Sequence, residues 1–187
     1  MKSIKDTFDV DYLRKCIAYS PKTGLAIWKN RPREHFTKQR IWKMWNTSYA
    51  DKVAGCMGEK GYLVIRIDGE LFRLHRIIWT LFYGADPGSF QIDHINHIKT
   101  DNRILNLRLV DNKNNHMNMP MQKNNTSGEA GVCWHKQCSK WIARVYDNGN
   151  VISLGLYESY QDAVLARRKE LVKRGYHKNH GVRRIDA

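Results

Sequence analysis

The sequence has 187 residues, which is enough for one large domain or two small domains with hydrophobic cores. Hydrophobic residues make up 42% and charged residues 27%, so the composition excludes a disordered or collagen-like chain. No apolar run approaches the roughly 18 residues of a membrane-spanning helix, and the opening run MKSIKDTFDV contains no signal-peptide core. We therefore expect a cytoplasmic protein with no membrane partner.

The charge of the chain indicates its class of partner. Lys and Arg number 32 against 18 Asp and Glu, which gives a formal net charge of +14. The surplus lies in residues 1–92 and 123–187, whereas residues 93–122 are nearly neutral. A surplus of this size favours a polyanion, and nucleic acid in particular. The distribution suggests a site held between two phosphate-binding surfaces.

The four cysteines of the chain are spaced without a C-x-x-C pair, so we expect reduced thiols. A zinc site is an alternative interpretation, although the spacing of its candidate ligands fits no standard zinc finger. Those candidates are Cys133, His135, Cys138, His177 and His180.

The N-terminal segment predicts a helix followed by a strand. Apolar residues recur at helical spacing over residues 9–19, with Asp9 as the N-cap. A Pro-Lys-Thr-Gly turn leads into the run LAIWK, which predicts a short strand. From Lys29 to Trp45, basic residues alternate with aromatic ones, a pattern typical of a nucleic-acid-binding surface. A solvated loop with a few aromatic rings fixed in the core is an equal alternative.

The middle of the chain predicts a hairpin, a helix and two further strands. Residues 61–74 read as a β-hairpin, because apolar residues alternate along them and Asp68-Gly69 supplies a two-residue turn. The run HRIIWTLFYG predicts a helix that ends at Gly84. Its inward residues are expected to be Ile77, Ile78, Leu81 and Phe82. The strands FQIDH and LRLV follow on either side of a polar loop, and a polar helix begins at Asp111.

The C-terminal part of the chain predicts a second unit. Residues 119–129 contain Pro, Gly and small polar residues without apolar periodicity, so we place a linker there. Residues 130–187 contain three short strands, and the turn at 147–150 joins the second to the third. Ser159 opens a capping box that begins a helix over 160–173. The residues expected in this core are Val132, Trp134, Trp141, Ala143, Val145, Ile152, Leu154 and Leu156.

The residues that carry chemistry are concentrated in the runs QIDHIN, DNR, NLR and NKNNH. Asp93 and His94 end an apolar strand, and a hairpin followed by one helical turn would bring Asn115 back over Asp93. A carboxylate and an amide carbonyl are hard oxygen ligands of the kind that Mg²⁺ prefers. A neutral His94 beside such an ion could take a proton from water near neutral pH.

The order of these residues resembles the HNH nucleases, specifically phage and intron homing endonucleases, whose run is close to D-H-I-N-G-D-x-x-D-N-R-x-x-N-L-R. The resemblance covers residues about 8–118. It implies a ββα-metal fold in which His94 is the general base and Asp93 and Asn115 hold one divalent ion. It also implies that Asn106 ties the loop down, so that the histidine is oriented.

Two residues depart from the family pattern. His97 stands where the family usually has Gly, and Ile98 stands where it usually has Asp. A positive φ at this Gly position would strain the loop at His97. In the phrase LHRII the family often has the same pair, His75-Arg76, and Arg76 could touch a DNA phosphate. Packing or helix capping is an equal alternative for both residues.

The tail contains a second set of motifs, which are Gly131-Val132, Lys140-Trp141-Ile142-Ala143, Leu154-Gly155 and Ala163. They resemble the APETALA-type DNA-binding fold of plant ethylene-response factors over residues about 124–175, and phage HNH homing enzymes often carry that fold at this end. In that fold a helix covers one face of the sheet and the other face enters the major groove. Strand alternation then exposes one row of side chains, in which Arg144 is the clearest contact for a base edge. The row is Cys133, His135, Ile142, Arg144, Tyr146, Val151 and Ser153.

These two resemblances define the expected DNA contacts and domains. The residues expected to contact DNA are Arg144, His135, Tyr146, Lys136, Lys140, Lys123, Arg76 and His75. In the alternative, the small sheet binds only phosphates, through Lys123, Lys136, Lys140 and Arg167. The predicted fold class is α+β, with a ββα-metal nuclease domain over 1–118, a linker over 119–129, and a three-stranded antiparallel sheet with one packed helix within 130–187.

The function that the resemblances imply is that of a metal-dependent endonuclease acting on double-stranded DNA. The expected cofactor is one divalent ion, Mg²⁺ or Mn²⁺, and the expected products carry 5′-phosphate and 3′-hydroxyl ends. One active site per chain predicts a nick in one strand, with monomer and homodimer both open. The alternatives are a DNA-binding regulator with an inactive nuclease fold, an RNA-binding protein and a zinc-stapled interaction module. A phage-encoded chain would act in the cytoplasm of a bacterial host.

Overall fold

The computed structural model describes residues 9–111, 118–147 and 149–182. The α-helices within these residues are α1 (Val10–Cys16), α2 (Gln39–Tyr49), α3 (Leu74–Tyr83) and α4 (Tyr160–Lys173). The strands are β1 (Ile17–Tyr19), β2 (Ala26–Trp28), β3 (Cys56–Met57), β4 (Leu63–Ile67), β5 (Glu70–Arg73), β6 (Gln91–His94), β7 (Leu107–Val110), β8 (Val132–His135), β9 (Lys140–Asp147) and β10 (Asn150–Tyr157). Helices and small sheets follow one another, so the predicted α+β class is confirmed. None of the described helices combines the length and apolarity needed to cross a membrane.

The described residues divide into two compact units. The first unit takes in the chain up to His94 together with Ile98–Leu109. The second unit takes in Ile95–His97 together with the chain from Val110 onward. The division of the sequence into a nuclease domain, a linker and a DNA-binding domain stays a prediction. The polar helix expected after Asp111 falls on residues 112–117, outside the described residues.

The N-terminal helix α1 forms as predicted but is shorter. Its N-cap is Asp9, whose Oδ1 accepts a hydrogen bond from the backbone N–H of Tyr12 at 2.5 Å. The helix ends at Cys16 because the backbone becomes extended at Ile17 and continues into β1. β1 then pairs antiparallel with β2, the strand predicted from the run LAIWK.

The predicted hairpin and helix in the middle of the chain are both present. β4 pairs antiparallel with β5 around Asp68 and Gly69, which both have positive φ, as a two-residue hairpin turn requires. α3 follows β5 directly and ends at Gly84, whose left-handed backbone lets its N–H bond to the Thr80 carbonyl. Ile77 is fully buried in the core of the first unit, as predicted.

One predicted core position in α3 is wrong. Phe82 was expected to point inward, but 46% of its surface is exposed. It lies in the last turn of α3, where residues 82–85 are all exposed, and its ring packs against Tyr83 instead. Helical spacing therefore gave the correct face in the middle of the helix and the wrong one at its end.

The segment of alternating basic and aromatic residues contains a helix that the sequence patterns did not predict. α2 occupies Gln39–Tyr49, and its N-cap, Lys38, makes no side-chain capping bond. The helix contains two Trp, a Thr, an Asn and a Tyr, which are weaker helix formers than Ala, Leu or Glu. Tertiary contacts rather than local propensity hold it, as its packing on Arg31 shows below.

The second unit contains the three strands and the helix predicted for it. The sheet has the order β10-β9-β8 with antiparallel pairing throughout. Ser159 caps α4 by accepting hydrogen bonds from the backbone N–H groups of Gln161 and Asp162. Val132, Ala143 and Ala163 form the centre of the core between the sheet and α4. The expectation of a three-stranded antiparallel sheet with one packed helix is confirmed.

Three burial predictions in this sheet are wrong, and two have a clear cause. Leu156 is exposed because a bulge between Ser153 and Gly155 shifts the register of β10, which pairs Leu156 with Ile142 on the face away from Ala143. Trp134 lies on the face of β8 that faces α4. Because β8 is an edge strand, the Trp134 ring contacts Trp141 at the edge of the core and about half of its surface stays exposed. Ile142 was expected to be exposed, but this central-strand residue is buried.

Candidate active site

Asp93 and His94 are the last two residues of β6, which is paired with β7. Ile92 points into the core of the first unit and anchors the strand. Alternation along the strand then sends the two functional side chains in opposite directions. His94 is buried, with 4% of its surface exposed, whereas the Asp93 side chain keeps some access to solvent.

The Asp93 carboxylate is paired with an arginine on the neighbouring strand. Its Oδ2 accepts hydrogen bonds from Arg108 Nε at 3.1 Å and Arg108 Nη2 at 2.9 Å. Both bonds end on the same oxygen, so Arg108 holds Oδ2, and the other carboxylate oxygen takes no part in this contact. No role was predicted for Arg108 from the sequence, although opposite charges on two strands predicted to pair were a usable signal.

The His94 ring is fixed by an asparagine of the polar loop. His94 Nε2 lies 3.0 Å from Asn102 Oδ1, and Asn102 is itself buried. With the Asn102 amide turned so that its Oδ1 faces the ring, Nε2 is the donor and the imidazole lone pair is on Nδ1. A neutral histidine in this tautomer can accept a proton at Nδ1. Asn102 was part of the quoted motif, but its contact with His94 was not predicted.

The β1–β2 hairpin holds the Asn102 backbone in place. Tyr19 Oη donates to the Asn102 carbonyl at 2.8 Å. Gly24, at φ +76°, lies against the same backbone, where a Cβ atom would come within 2.8 Å of the Asn102 carbonyl carbon. Ile104 N–H donates to the Pro21 carbonyl at 3.2 Å. The positive φ of Gly24 and the hydrogen bond from Tyr19 therefore fix the position of Asn102, the partner of His94.

Asn106 ties the same loop to itself. It is buried, and its Nδ2 donates to the Asp101 carbonyl at 2.8 Å. Asp101 also accepts two hydrogen bonds from Arg103, from Nε at 2.8 Å and from Nη2 at 2.6 Å. This arrangement agrees with the loop-fixing part that the resemblance implied for Asn106. The direct contact with His94 is made by Asn102, so a catalytic role of Asn106 stays a prediction.

A second histidine and a tyrosine surround the His94 ring. The His75 ring packs edge-on against His94 with centroids 5.1 Å apart, and the Tyr62 ring lies 5.4 Å from His75 and 5.9 Å from His94. Arg73 and Lys99 both lie over the Tyr62 ring, at 4.5 and 4.6 Å from its centroid. The histidine pair therefore sits beside two cations.

This environment keeps both histidines neutral. Burial, together with the nearby His94, Arg73 and Arg76, lowers the pKa of His75 to about 3. Burial also lowers the pKa of His94, while the hydrogen bond with Asn102 and the charge of Asp93 oppose that shift. A neutral His94 is the form that a general base needs.

Two residues expected to contact DNA make contacts within the first unit. His75 is 3% exposed and packs on His94, so the packing alternative fits it. Arg76 forms an ion pair with Asp86 at 3.0 Å and donates to the carbonyls of Gly88 and Phe90. These bonds fasten the turn after α3, and packing again fits better than a phosphate contact.

The predicted metal site can be tested in part. Asn115 lies outside the described residues, whereas Asp93 supplies a hard carboxylate oxygen next to His94 in the chain. A carboxylate and an amide oxygen are a donor set that suits Mg²⁺ or Mn²⁺, which complete their shells with water and substrate phosphate. Within residues 9–111, 118–147 and 149–182, no three His, Cys, Asp or Glu side chains gather where they could hold a metal ion. These residues include all five candidate zinc ligands.

The sheet of the second unit brings several predicted DNA contacts onto one face. Register places His135 opposite Lys140 and lines up Arg144 and Tyr146 along β9 on that face. Arg144 and Tyr146 are exposed, while Lys140 forms an ion pair with Glu158 at 2.7 Å. Lys136 and Lys123, in a turn and a loop, are also exposed.

One residue of the phosphate-only alternative is ruled out as a surface contact. Arg167 is 3% exposed and pairs with Glu129 at 3.3 Å in the interior of the second unit. Burial lowers the pKa of its guanidinium group, which Glu129 partly offsets. Its function in the fold is to join α4 to the segment before β8.

Sequence comparison assigns the segment that contains the site. Residues 72–117 match the HNH endonuclease family. This HNH segment runs from β5 through α3, β6 and β7 and contains Asp93, His94, Asn102 and Asn106. The resemblance to HNH nucleases is therefore confirmed for it, and the assignment supports a nuclease.

Two viral proteins are similar to the chain. Protein 3.8 of Escherichia phage T7 is 36% identical over 77 residues, which are 41% of this chain and 64% of that protein. An uncharacterized HNH endonuclease of Acanthamoeba polyphaga mimivirus is 38% identical over 77 residues, 41% of this chain and 38% of that protein. The chain thus spans less than two thirds of the length of either relative.

Among solved structures, the chain is similar to the HNH homing endonuclease I-HmuI, whose structure describes DNA binding and cleavage. The TM-score is 0.38 and the sequence identity is 20%. The similarity covers 57% of this chain and 52% of that chain. The likeness of residues 124–175 to the APETALA-type fold stays a prediction.

Proposed function

We propose that the protein is a metal-dependent HNH endonuclease that hydrolyses a phosphodiester of double-stranded DNA with His94 as general base. The observation that carries the proposal is the His94–Asn102 contact inside the HNH segment. It leaves a neutral imidazole with its lone pair on Nδ1, and the ring is buried and held on several sides. Such a group is suited to accept one proton from water at neutral pH.

The reaction begins when Nδ1 of His94 takes a proton from a water molecule. The resulting hydroxide attacks phosphorus in line with the 3′ oxygen, a new P–O bond forms, and the bond to the 3′ oxygen breaks. The 3′ oxygen takes up a proton from solvent water and leaves as a hydroxyl group, and the phosphate stays on the 5′ end. Asn102 holds the neutral imidazole in the reactive tautomer before the transfer, because its carbonyl oxygen can only accept from Nε2–H, and it keeps the same hydrogen bond with the imidazolium that forms.

The divalent ion of the proposal would be held by Asp93 and Asn115. HNH nucleases generally use a divalent metal ion, and Mg²⁺ or Mn²⁺ suits these oxygen ligands. When bound, such an ion supplies positive charge that stabilises the phosphate oxygens and the leaving oxygen. Arg108 holds Oδ2 of the Asp93 carboxylate at the end of β6.

Binding of duplex DNA is proposed to involve both basic ends of the chain. On the second unit, the APETALA-like face with His135, Arg144 and Tyr146 would enter the major groove, supported by Lys123, Lys136 and Lys140. Cleavage by one site per chain would nick one strand, and cutting both strands would require a second chain or a second binding event. For a phage protein, the place of action would be the host cytoplasm.

Relaxation of supercoiled plasmid tests the proposal. Purified protein with Mg²⁺ or Mn²⁺ should convert supercoiled DNA into nicked circles, and EDTA should prevent this. The nicks should be sealed by DNA ligase, which requires 5′-phosphate and 3′-hydroxyl ends. Nicking that persists in EDTA, or nicks that ligase cannot seal, would contradict the proposal.

The second candidate is a DNA-binding regulator with an inactive nuclease fold. Two observations favour it, namely the pairing of the Asp93 carboxylate by Arg108 and the left-handed backbone of His97 where the family usually has Gly. A regulator would bind duplex DNA without nicking any plasmid under any metal condition. His94→Ala would then leave all its activity unchanged.

A further inference from the structure

We propose that α2 is a second DNA-contacting element, which lays its outward face against the duplex. This inference rests on the proposed function, since it assigns part of the DNA contact to a helix in the first unit. It concerns a segment outside the HNH match and outside the APETALA-like tail.

The inner face of α2 is fastened to the backbone of a single arginine. Trp42 Nε1 donates to the Arg31 carbonyl at 2.8 Å, and Asn46 Nδ2 donates to the same carbonyl at 3.0 Å. Asn46 Oδ1 accepts from the Arg31 N–H at 2.9 Å. The Trp45 ring packs edge-on against Trp28 with centroids 5.0 Å apart. The orientation of α2 is thus fixed about its own axis.

Arg31 is itself immobilised, so the helix has a rigid base. Its side chain is 2% exposed and pairs with Asp68 at 2.8 Å. The guanidinium also donates to Tyr12 Oη at 2.6 Å and lies over the rings of Phe36 and Trp45, at 4.8 and 5.0 Å from their centroids. A buried cation with this many partners is well suited to hold a surface helix in one position.

The outward face of α2 combines the side chains that duplex DNA requires. Helical geometry places five exposed residues on the side opposite Trp42 and Trp45, namely Arg40, Lys43, Met44, Thr47 and Ser48. Arg and Lys bind phosphates, Thr and Ser hydroxyls bind base edges or phosphates, and an apolar side chain can contact a thymine methyl group. No acidic residue occurs between Lys38 and Ala50.

The basic side chains at the start of α2 do not stabilise the helix. Lys38 is the N-cap and Arg40 is in the first turn, next to the positive end of the helix dipole, where acidic residues stabilise and basic ones destabilise. The side chains of Arg40 and Lys43 form no hydrogen bond or ion pair with the described residues of the chain. Cations at these positions do not stabilise a helix that faces only solvent, whereas a bound polyanion would form favourable charge contacts with them.

α2 also contributes little to the core, although it is held rigidly. None of its residues is buried, and Met44 exposes 59% of its surface. Among its residues Trp45 packs against the core of the first unit, whereas the outward face with its cations is available to bind a partner. The major groove of B-form DNA is about 12 Å wide and admits an α-helix.

Binding of the full-length protein to a labelled duplex of random sequence, in EDTA so that no cutting occurs, tests this inference. The double variant Arg40→Gln/Lys43→Gln should weaken binding about 100-fold near 0.1 M salt and reduce the slope of log Kd against log salt by about two. The matched control is Lys22→Gln/Lys169→Gln, which removes two exposed cations from the β1–β2 turn and from α4 and should leave the slope unchanged.

A single charge reversal distinguishes binding from folding. Arg40→Glu should weaken DNA binding further, yet it should preserve or raise the thermal midpoint, because it places an acid in the first turn of α2. Equal affinities and slopes for the α2 double variant and the control double variant would overturn the inference while leaving the endonuclease proposal standing. A wild-type chain that binds no duplex would overturn both, and one that binds but never nicks would overturn only the endonuclease.

Discussion

Asn102 Oδ1 lies 3.0 Å from His94 Nε2, and this contact determines which nitrogen of the histidine can act as a base. The His94 ring lies at the end of β6, whereas Asn102 belongs to the following loop, which Tyr19 and Asn106 hold in place. The reactive tautomer of one residue therefore depends on a hairpin far away in the sequence.

Asn102→Ala should reduce the single-turnover cleavage rate about 10- to 100-fold, because the imidazole loses its fixed tautomer and orientation. Asn102→Asp should retain the acceptor and move the pH–rate profile to higher pH, since a carboxylate stabilises the imidazolium form. The measurement is the cleavage rate from pH 5.5 to 8.5 for both variants. Equal rates for wild type and Asn102→Ala would contradict the positioning role.

His75 should make the stability of the protein depend on pH. Its folded pKa of about 3 is below the unfolded value near 6.5, so the unfolded chain binds the proton first as pH falls. The stabilisation is complete above pH 6.5 and is lost progressively below it, by about 2 kcal/mol between pH 6.5 and pH 5.

Urea unfolding at pH 7 and pH 5 measures this loss. His75→Phe keeps an aromatic ring in place but cannot be protonated, so its stability should change less between the two pH values than that of wild type. The same pH dependence in both proteins would show that His75 is protonated in the folded state as readily as in the unfolded one.

Arg108 should compete with the metal ion at Asp93. Its guanidinium lies 2.9 Å from the carboxylate, so it repels a second cation that approaches the same group. Arg108→Gln should therefore lower the Mg²⁺ concentration for half-maximal cleavage, by up to about tenfold. A metal titration of the cleavage rate measures this, and a higher Mg²⁺ requirement in the variant would mean that Arg108 supports the site rather than competing for it.

His97 has a backbone conformation that favours glycine, with φ at +64°. Its Nε2 bonds to the Asn118 carbonyl, a contact that any small replacement would lose. His97→Gly and His97→Ala lose that bond equally and differ in their tolerance of positive φ. His97→Gly should consequently be about 1 kcal/mol more stable than His97→Ala. Thermal unfolding of the pair measures the difference, and an alanine variant as stable as the glycine one would mean that the loop carries no strain at this position.

Much of the fold followed from local signals in the sequence. Asp68-Gly69 predicted the β4–β5 hairpin, Gly84 the end of α3, and Ser159 the start of α4, because each residue satisfies a backbone requirement within a few positions of itself. A single departure from a family pattern likewise drew attention to His97, where a positive φ would strain the loop, and φ there is +64°. Signals of this kind need no knowledge of distant residues.

Other features depend on distant contacts and left no local trace. α2 forms on Arg31, Trp28 and the hairpin turn rather than by its own propensity. The register shift in β10 that exposes Leu156 depends on pairing with β9, not on alternation within β10. From the sequence alone Arg167 is indistinguishable from a surface cation, and its burial depends on the ion pair with the distant Glu129.

The candidate site divides in the same way. The sequence motif supplied Asp93, His94 and Asn106, whereas the contacts of His94 with Asn102 and His75 and the pairing of Asp93 with Arg108 emerged only from the fold. Residue types at fixed spacing indicated the chemistry. The tautomer, the neutral charge and the orientation of the histidine depend on how the loop packs.

The most direct test of the central claim is the single-turnover cleavage rate of His94→Ala with Mg²⁺, on the plasmid that wild type nicks. Loss of the general base should reduce this rate about 100- to 10,000-fold. The affinity for duplex DNA should stay close to wild type, whereas the thermal midpoint should fall, because the truncation leaves a cavity and takes the partner from Asn102. Both rates are therefore measured well below the thermal midpoint of the variant. His177→Ala, which removes a histidine from the second unit, serves as the matched control and should cleave at the wild-type rate. A His94→Ala protein that nicks as fast as wild type would contradict the account.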